Sequence, residues 1–530
     1  MPTRTRNMIY PGVGVARLGP STKEIFIGPE VPDPEFVPMP IKHPNAAGAP
    51  SGSAFRDRDG RIRRQAARFR VYRVKQRKVG RAWVPIEARE ITADDATLTW
   101  TVTVANCKSF TGATPPLDKS ARVQNVAPAK TVSGRDQPVQ RLEGAVQNLL
   151  LAEIFTDAKG RLLVLAGLGE CRPTGGAGPP SGLFSANWFD DVCDGSVECT
   201  VDGKSAERAW IVTGVPVFAQ QIGHLVTLYD VAETIAIATR KLPAPKTVSI
   251  VRDIYPMLRT TDLQSWVSES ASEHTEEHRS SEAEMKKVSA PAERDLRRFI
   301  FTSMRNPNVE FGSRRKSPYL PHWYPSTGGA VVNDFDSAIA AVENDSPPRL
   351  MPKQAGLTFT LWQWKRFEQW SKATRPQDLK WDYVDHATSI KRPKKLEDRL
   401  GANKLDALDD LNRAHLGSIV GGSTTPGIEV GWPALETKSW GDAFRPRSPG
   451  LQPGDLTWTL SVPWPQDYRL CSRQPVQGDS NDWWPAARPV LKAGSPQDWM
   501  RSAPTGPDWW KSRGFFKNDG TGKYTETDGP

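Results

Sequence analysis

In the stretch PWPQDYRLC (463–471), Asp467 stands four positions before Cys471. Proline at 465 suits the first position of a short helix, and a helix there sets Asp467 and Cys471 on one face, within reach of a shared group. Indoles crowd the same region: Trp464, Trp483, Trp484, Trp499, Trp509 and Trp510. A carboxylate beside a thiol and an indole is equipped to act as base for covalent chemistry at that pair. The same residues also suit a tryptophan-lined core under irregular loops with Cys471 an ordinary buried thiol, and composition alone favours that reading. Spacing leaves both open.

Two other patterns suggest chemistry and fail on context. GVGVARLG (12–19) looks like a phosphate-binding turn, but Arg17 stands where the third glycine of G-x-G-x-x-G belongs, and the sequence shows no strand leading into it. HTEEH (274–278) matches H-x-x-E-H and, on a helix, puts His274 and His278 on one face as two zinc ligands. Ser, Glu, Arg and Lys surround it on every side, whereas a catalytic zinc helix needs an apolar back. With 7 histidines in the chain, metal chemistry is short of ligands. The expectation is no metal.

Those residues need a scaffold, and 530 residues are enough to bury a large core with sub-cores. Short alternating runs such as TLTWTVTVAN, RLLVLAGLG and AWIVTGVPVF, bounded by turn residues, make residues 1–245 β-rich. Residues 246–300 read as a charged, exposed linker or insertion, most polar over 264–297. Residues 301–530 read as a helical and irregular C-terminal domain, with helical periodicity over 357–373 and 404–422 and a Pro-, Gly- and Trp-rich end. The class predicted is α+β.

The formal net charge is +10, and basic residues cluster over 61–81 in RIRRQAARFRVYRVKQRKVGR. Arginines alternating with Ala, Phe, Val and Tyr predict a strand with one solvated face, and no nucleic-acid signature accompanies them. No apolar run approaches the roughly 18 residues of a membrane span, and no Sec-type apolar segment is visible near the N-terminus. The 5 cysteines (107, 171, 193, 199 and 471) lack C-x-x-C pairing and point to a reducing compartment. The expectation is a cytoplasmic protein, with export by a non-classical route left open, binding neither nucleic acid nor membrane.

Ordered segments along nearly the whole chain resemble the LodA-like amino-acid oxidases, the group of L-lysine ε-oxidase and glycine oxidase. The segments are IYPGVGVARLGPSTKEIFIGPEVP (9–32), RIRRQAARFRVY (61–72), LTWTVTVANCK (98–108), LLVLAGLGE (162–170), WFDDVCDGSV (188–197), LVTLYDVAE (225–233) and RDIYPMLR (252–259). GGSTTPGIEVGW (421–432), PGDLTWTLSVPWPQDYRLC (453–471) and WWPAARP (483–489) follow in the family's order. Each is weak alone; together they are specific.

The resemblance implies a cysteine tryptophylquinone built from the chain's own side chains: Cys471 joined by a thioether to a tryptophan oxidised to an ortho-quinone. The matching indole is Trp510 in WKSRGFF, with adjacent Trp509 as the alternative. Asp467 is implied in cofactor formation and as catalytic base. Two departures stand out. The interval from Cys471 to Trp510 is shorter than the family pattern, and Thr425 replaces the usual aromatic before PGIE. The implied reaction is oxidative deamination of an amino acid or another primary amine by O2, giving ammonia and H2O2. A LodB-like flavoprotein is implied for maturation, and a homo-oligomer is expected. Arg469 and Arg488, the nearest cations in sequence, read as ion-pair partners rather than carboxylate binders. The rival from another class is a non-catalytic LodA-like binding or scaffold protein with Cys471 and Trp510 unmodified.

Overall fold

The computed structural model describes residues 1–32, 38–52, 54–178, 184–216, 223–239, 241–244, 246–263, 293–302, 359–375, 378–380, 404–420, 428–435, 439–442, 444–447, 450–465, 516–518 and 524–526. Among them the dominant element is a 15-stranded sheet drawn from the first 214 residues. Its main path runs Gln140–Glu143, Leu150–Thr156, Leu162–Ala166, Arg64–Val79, Val13–Arg17, Ala209–Gly214, Asp194–Val201, Leu98–Asn106 and Asn125–Val126. Most pairs are antiparallel. The exception at the centre is Ala209–Gly214, which runs parallel to Val13–Arg17.

Central strands are apolar on both sides because both faces are covered. Leu150–Thr156, Leu162–Ala166 and Ala209–Gly214 are buried along their full length. The two-residue period of a strand sorts their side chains. Val13, Val15, Trp210 and Val212 join a core with Leu228, Val231 and Ile235 of the Leu228–Ala238 helix and with Leu416, Ile419 and Leu456. Ile211, with Phe69, Trp100, Val102, Ile154 and Val164, fills the opposite face, and that core also holds Trp464. Close approach decides one position on the central strand: a Cβ on Gly14 would lie 2.3 Å from the Phe69 ring.

The helices match the expected periodic stretches. Leu361–Lys372 starts with a capping box between Thr360 and Gln363 and buries Trp364, Phe367 and Trp370. Lys404–Leu416 lies against the sheet through Asn412, whose Oδ1 accepts the Gly12 N–H at 2.8 Å, and His415, whose Nδ1 accepts the Val15 N–H at 3.0 Å. The α+β class with a β-rich N-terminal part is as expected from sequence.

Three local expectations differ. Residues 3–10 do form a strand ahead of GVGVARLG, but Val13–Arg17 continues as the next strand rather than turning into a helix, so no phosphate-binding turn exists there. The 61–72 stretch is not a strand with a wet face. Arg63, Arg64 and Arg70 are fully buried, their guanidinium groups paired with Glu24, Glu153 and with Glu30 and Glu90 at 2.5–3.2 Å. Only from Arg73 onward does that strand alternate with solvent. Both described ends of the 246–300 segment are packed: Ile250, Ile254 and Arg297 are buried, and helices cover Tyr255–Leu263 and Arg294–Thr302. His274 and His278 lie outside the described residues.

Candidate functional site

Where the sheet meets the C-terminal segment, three aspartates sit within five residues of an otherwise apolar stretch: Asp190, Asp191 and Asp194. All three are fully buried. Asp190 ends the Trp188–Asp190 strand and Asp194 opens the Asp194–Val201 strand, so the turn between them points carboxylates from both strand ends toward the packed chain 453–464.

Asp194 holds the first half of that chain. Its Oδ1 accepts the amide of Thr457 at 2.9 Å and the Thr457 hydroxyl at 2.6 Å. Its Oδ2 accepts the Trp210 indole N–H at 2.8 Å and the Leu456 amide at 3.2 Å, while its carbonyl accepts Gly454 N–H at 3.1 Å. Burial pushes its carboxyl up to about 6 in spite of these donors. Lys119 adds a bond to the Pro453 carbonyl at 2.9 Å and pairs with Asp455.

Asp190 holds the second half. Its Oδ2 accepts Lys108 Nζ at 2.6 Å and the Trp464 backbone N–H at 2.9 Å. Its Oδ1 accepts Asn106 Nδ2 at 2.8 Å and the Val192 N–H at 3.2 Å. Asn106 is fixed in turn, since the same amide nitrogen reaches the carbonyls of Asp190 and Val192. Between the two aspartates the chain is also tied by Ser185, whose N–H donates to the Val462 carbonyl at 2.8 Å. Helical backbone begins at Trp464–Pro465, where the proline was expected to start a turn.

Asp191 faces a loop instead. Its Oδ2 accepts the N–H groups of Gly169 and Glu170 at 2.6 and 3.0 Å, and its buried Oδ1 has no hydrogen-bond partner. Burial, with the Asp190 carboxylate beside it, pushes Asp191 up to about 8. At neutral pH it is largely a neutral acid.

The four described cysteines are all free thiols, and none is activated. Burial pushes Cys107 up to about 11 and Cys199 up to about 12, and drives Cys193 higher still. Cys171 is raised well above its usual value by burial and by the carboxylates of Asp190 and Asp191. Cys107 does pack with Trp458, but that indole lies under the Arg122 guanidinium, 5.4 Å from its centroid, and the thiol stays protonated. Asp467, Cys471, Trp509 and Trp510 lie outside the described residues, as do Arg469, Arg488 and Thr425. What is placed is the run of chain that delivers them: it leaves the core at Trp464, three residues before Asp467 and seven before Cys471.

Lys108, Asn106, Asp190 and Asp194 carried no role in the sequence reading, although LTWTVTVANCK and WFDDVCDGSV were singled out as segments. A signal was present. Three acids in a run otherwise fit for a buried strand require buried partners.

Comparison with known proteins agrees with this arrangement. A family model described as L-Lysine epsilon oxidase N-terminal matches residues 10–139 and 117–213, and one described as L-lysine epsilon oxidase C-terminal domain matches 341–486. The chain belongs to the L-lysine ε-oxidase family. L-lysine 6-oxidase of Marinomonas mediterranea is 23% identical to it, over 88% of this chain and 71% of that protein. The crystal structure of the L-Lys epsilon-oxidase from the same organism superposes with a TM-score of 0.58 at 19% identity, covering 99% of this chain and 94% of that one. Its Schiff base intermediate with L-Lys gives the same score over 99% and 95%. Among the described residues of this L-lysine ε-oxidase family member, no helix is long and apolar enough to cross a membrane.

Proposed function

We propose that this chain is a quinoprotein oxidase that deaminates an amino acid at a primary amine. A small-molecule amine, O2 and water are converted to a carbonyl product, ammonia and H2O2. The cofactor in this reading is cysteine tryptophylquinone formed from Cys471 and Trp510, with Trp509 as the neighbouring alternative. Asp467 acts as base. The division into an N-terminal domain to 245, a linker to 300 and a C-terminal domain carrying the quinone pair is part of the same proposal, as is maturation by a LodB-like flavoprotein.

The observation that carries the reading is the double clasp of Asp190 and Asp194 on the chain 453–464. This clasp holds firmly the stretch that runs straight into Asp467 and Cys471. The fit to the cofactor is also a matter of donor set. A thioether needs a reactive cysteine, and four of the five cysteines are inert thiols within or beside the N-terminal sheet. Cys471 is the one that remains.

When formed, such a quinone supplies an electrophilic carbonyl that holds the amine and takes up two electrons. The chain's own residues do the rest. Asp467 takes the proton from the carbon that bears the amine. The buried Asp190–Lys108 pair and the apolar wall that includes Trp464 keep the approach to this segment dry on the sheet side.

Intact mass of protein co-expressed with a family flavoprotein tests the proposal. Thioether and quinone formation together remove hydrogens and add two oxygens, roughly +28 Da. Peptide mapping should place the cross-link at Cys471. An unchanged mass favours the non-catalytic binding protein and overturns the oxidase.

A further inference from the structure

We propose that Asp190, held by Lys108 and Asn106, is the positioning residue of the quinone-forming segment: its carboxylate fixes the Trp464 N–H, from which the chain runs to Asp467 and Cys471. This inference rests on the oxidase reading above.

A carboxylate and an ammonium 2.6 Å apart, both essentially without solvent, are an expensive way to fill a core. Apolar residues of equal volume would stabilise the fold at least as well. What they cannot do is fix direction. Asp190 has four donors on two oxygens, and three of these, from Lys108, Asn106 and Val192, aim the carboxylate. The fourth is the backbone of Trp464, 274 positions away in sequence.

The position of that bond along the chain matters more than its strength. The clasps at Gly454, Leu456, Thr457 and Val462 lie upstream and do not depend on Asp190. Trp464 is the last described contact before the candidate residues. Its N–H is also one of the helix-start donors that need an acceptor from outside the helix. Asp190 supplies that acceptor from the sheet, and so ties the start of the turn to the frame of the whole N-terminal core. Forming a bond between a sulfur and a ring carbon tolerates little misplacement, and displacement by about 1 Å costs on the order of a hundredfold in comparable settings. Side-chain burial of Trp464 holds the chain near the sheet; the bond to Asp190 sets its register.

The test compares Asp190→Asn with wild type and with Glu30→Gln, each as the full chain co-expressed with a family flavoprotein. Glu30 is a buried acid paired with Arg68 and Arg70 and touches nothing in 453–464. Melting temperature and the fraction of chains carrying the 28 Da shift are read on the same samples. Glu30→Gln should melt lower yet carry the full shift. Asp190→Asn should carry it in a fraction reduced by about tenfold or more. Complete modification in Asp190→Asn overturns the inference and leaves the oxidase intact. A wild-type chain without the shift removes the oxidase reading, and this inference with it. If Asp190→Asn does not fold, Lys108→Gln is read in its place, since it removes the cation that aims the acceptor. Full modification there overturns the inference equally.

Discussion

Thr457 gives both its amide and its hydroxyl to one oxygen of Asp194, at 2.9 and 2.6 Å, across 263 positions of sequence. Neither residue is exposed, so the bond is made where its loss is felt most. Thr457→Val keeps the shape and removes one donor from a buried carboxylate. It should lower unfolding free energy by about 1.5–3 kcal/mol, measured as a shift in urea midpoint without a change in slope. A shift within error would mean that water replaces the hydroxyl.

Stability should fall as pH rises from about 4 to about 8. Asp191 and Asp194 bind their protons more tightly in the folded chain, near 8 and 6, than at the ordinary 3.8. Between those values the folded state holds protons that the unfolded state has lost. The stability from these two groups is therefore complete below about pH 4 and is lost as pH rises through 6 and then 8. Each group contributes at most about 1.4 kcal/mol per pH unit. Glu153 acts in the opposite sense: it is held at about 2 by its bonds to His43 and Arg64 in spite of burial, and its contribution is lost in acid below about pH 4.5. Asp191→Asn mimics the neutral acid and should flatten the melting temperature between pH 6 and 8. An unchanged slope would show that Asp191 is ionised in the fold.

Maleimide labelling of native protein at pH 8 separates the cysteines. Raised thiol pKa values keep Cys107, Cys171, Cys193 and Cys199 protonated and slow. The mature protein should take no label, because Cys471 is in its thioether. Chains made without the flavoprotein should label at Cys471 alone. A label on Cys471 in oxidase-active protein would contradict the cofactor assignment.

Asp467→Asn tests the base. Loss of a positioned carboxylate that takes a proton should lower kcat by about a hundredfold to ten-thousandfold, with KM changed far less. If the same variant lacks the 28 Da shift, Asp467 acts already in cofactor formation. Wild-type kcat in Asp467→Asn would remove it from the mechanism.

The scaffold was legible where local pattern decides it. Alternation in LTWTVTVAN and continuous apolar character in LLVLA give the observed strands, and 3.6-residue periodicity gives the helices Leu361–Lys372 and Lys404–Leu416. The arginines of 61–72 misled because their burial depends on partners that no local window contains: Glu24, Glu30, Glu90 and Glu153 arrive from four other segments. The aspartate clasp escaped for the same reason, since Asp190 and Asp194 grip residues more than 250 positions ahead. The cofactor residues themselves came from family resemblance, which recognises an order of segments rather than a geometry.

The seating of the Lys404–Leu416 helix on the central strand has a bearing on biosynthesis. Gly12 and Val15 find acceptors for their amides in Asn412 and His415, each 400 residues downstream. While the polypeptide is still emerging from the ribosome, the apolar side formed by Val13, Val15, Trp210 and Val212 waits without its cover until translation has passed residue 416. A truncated N-terminal half inherits that exposed side permanently, and such a fragment is apt to aggregate.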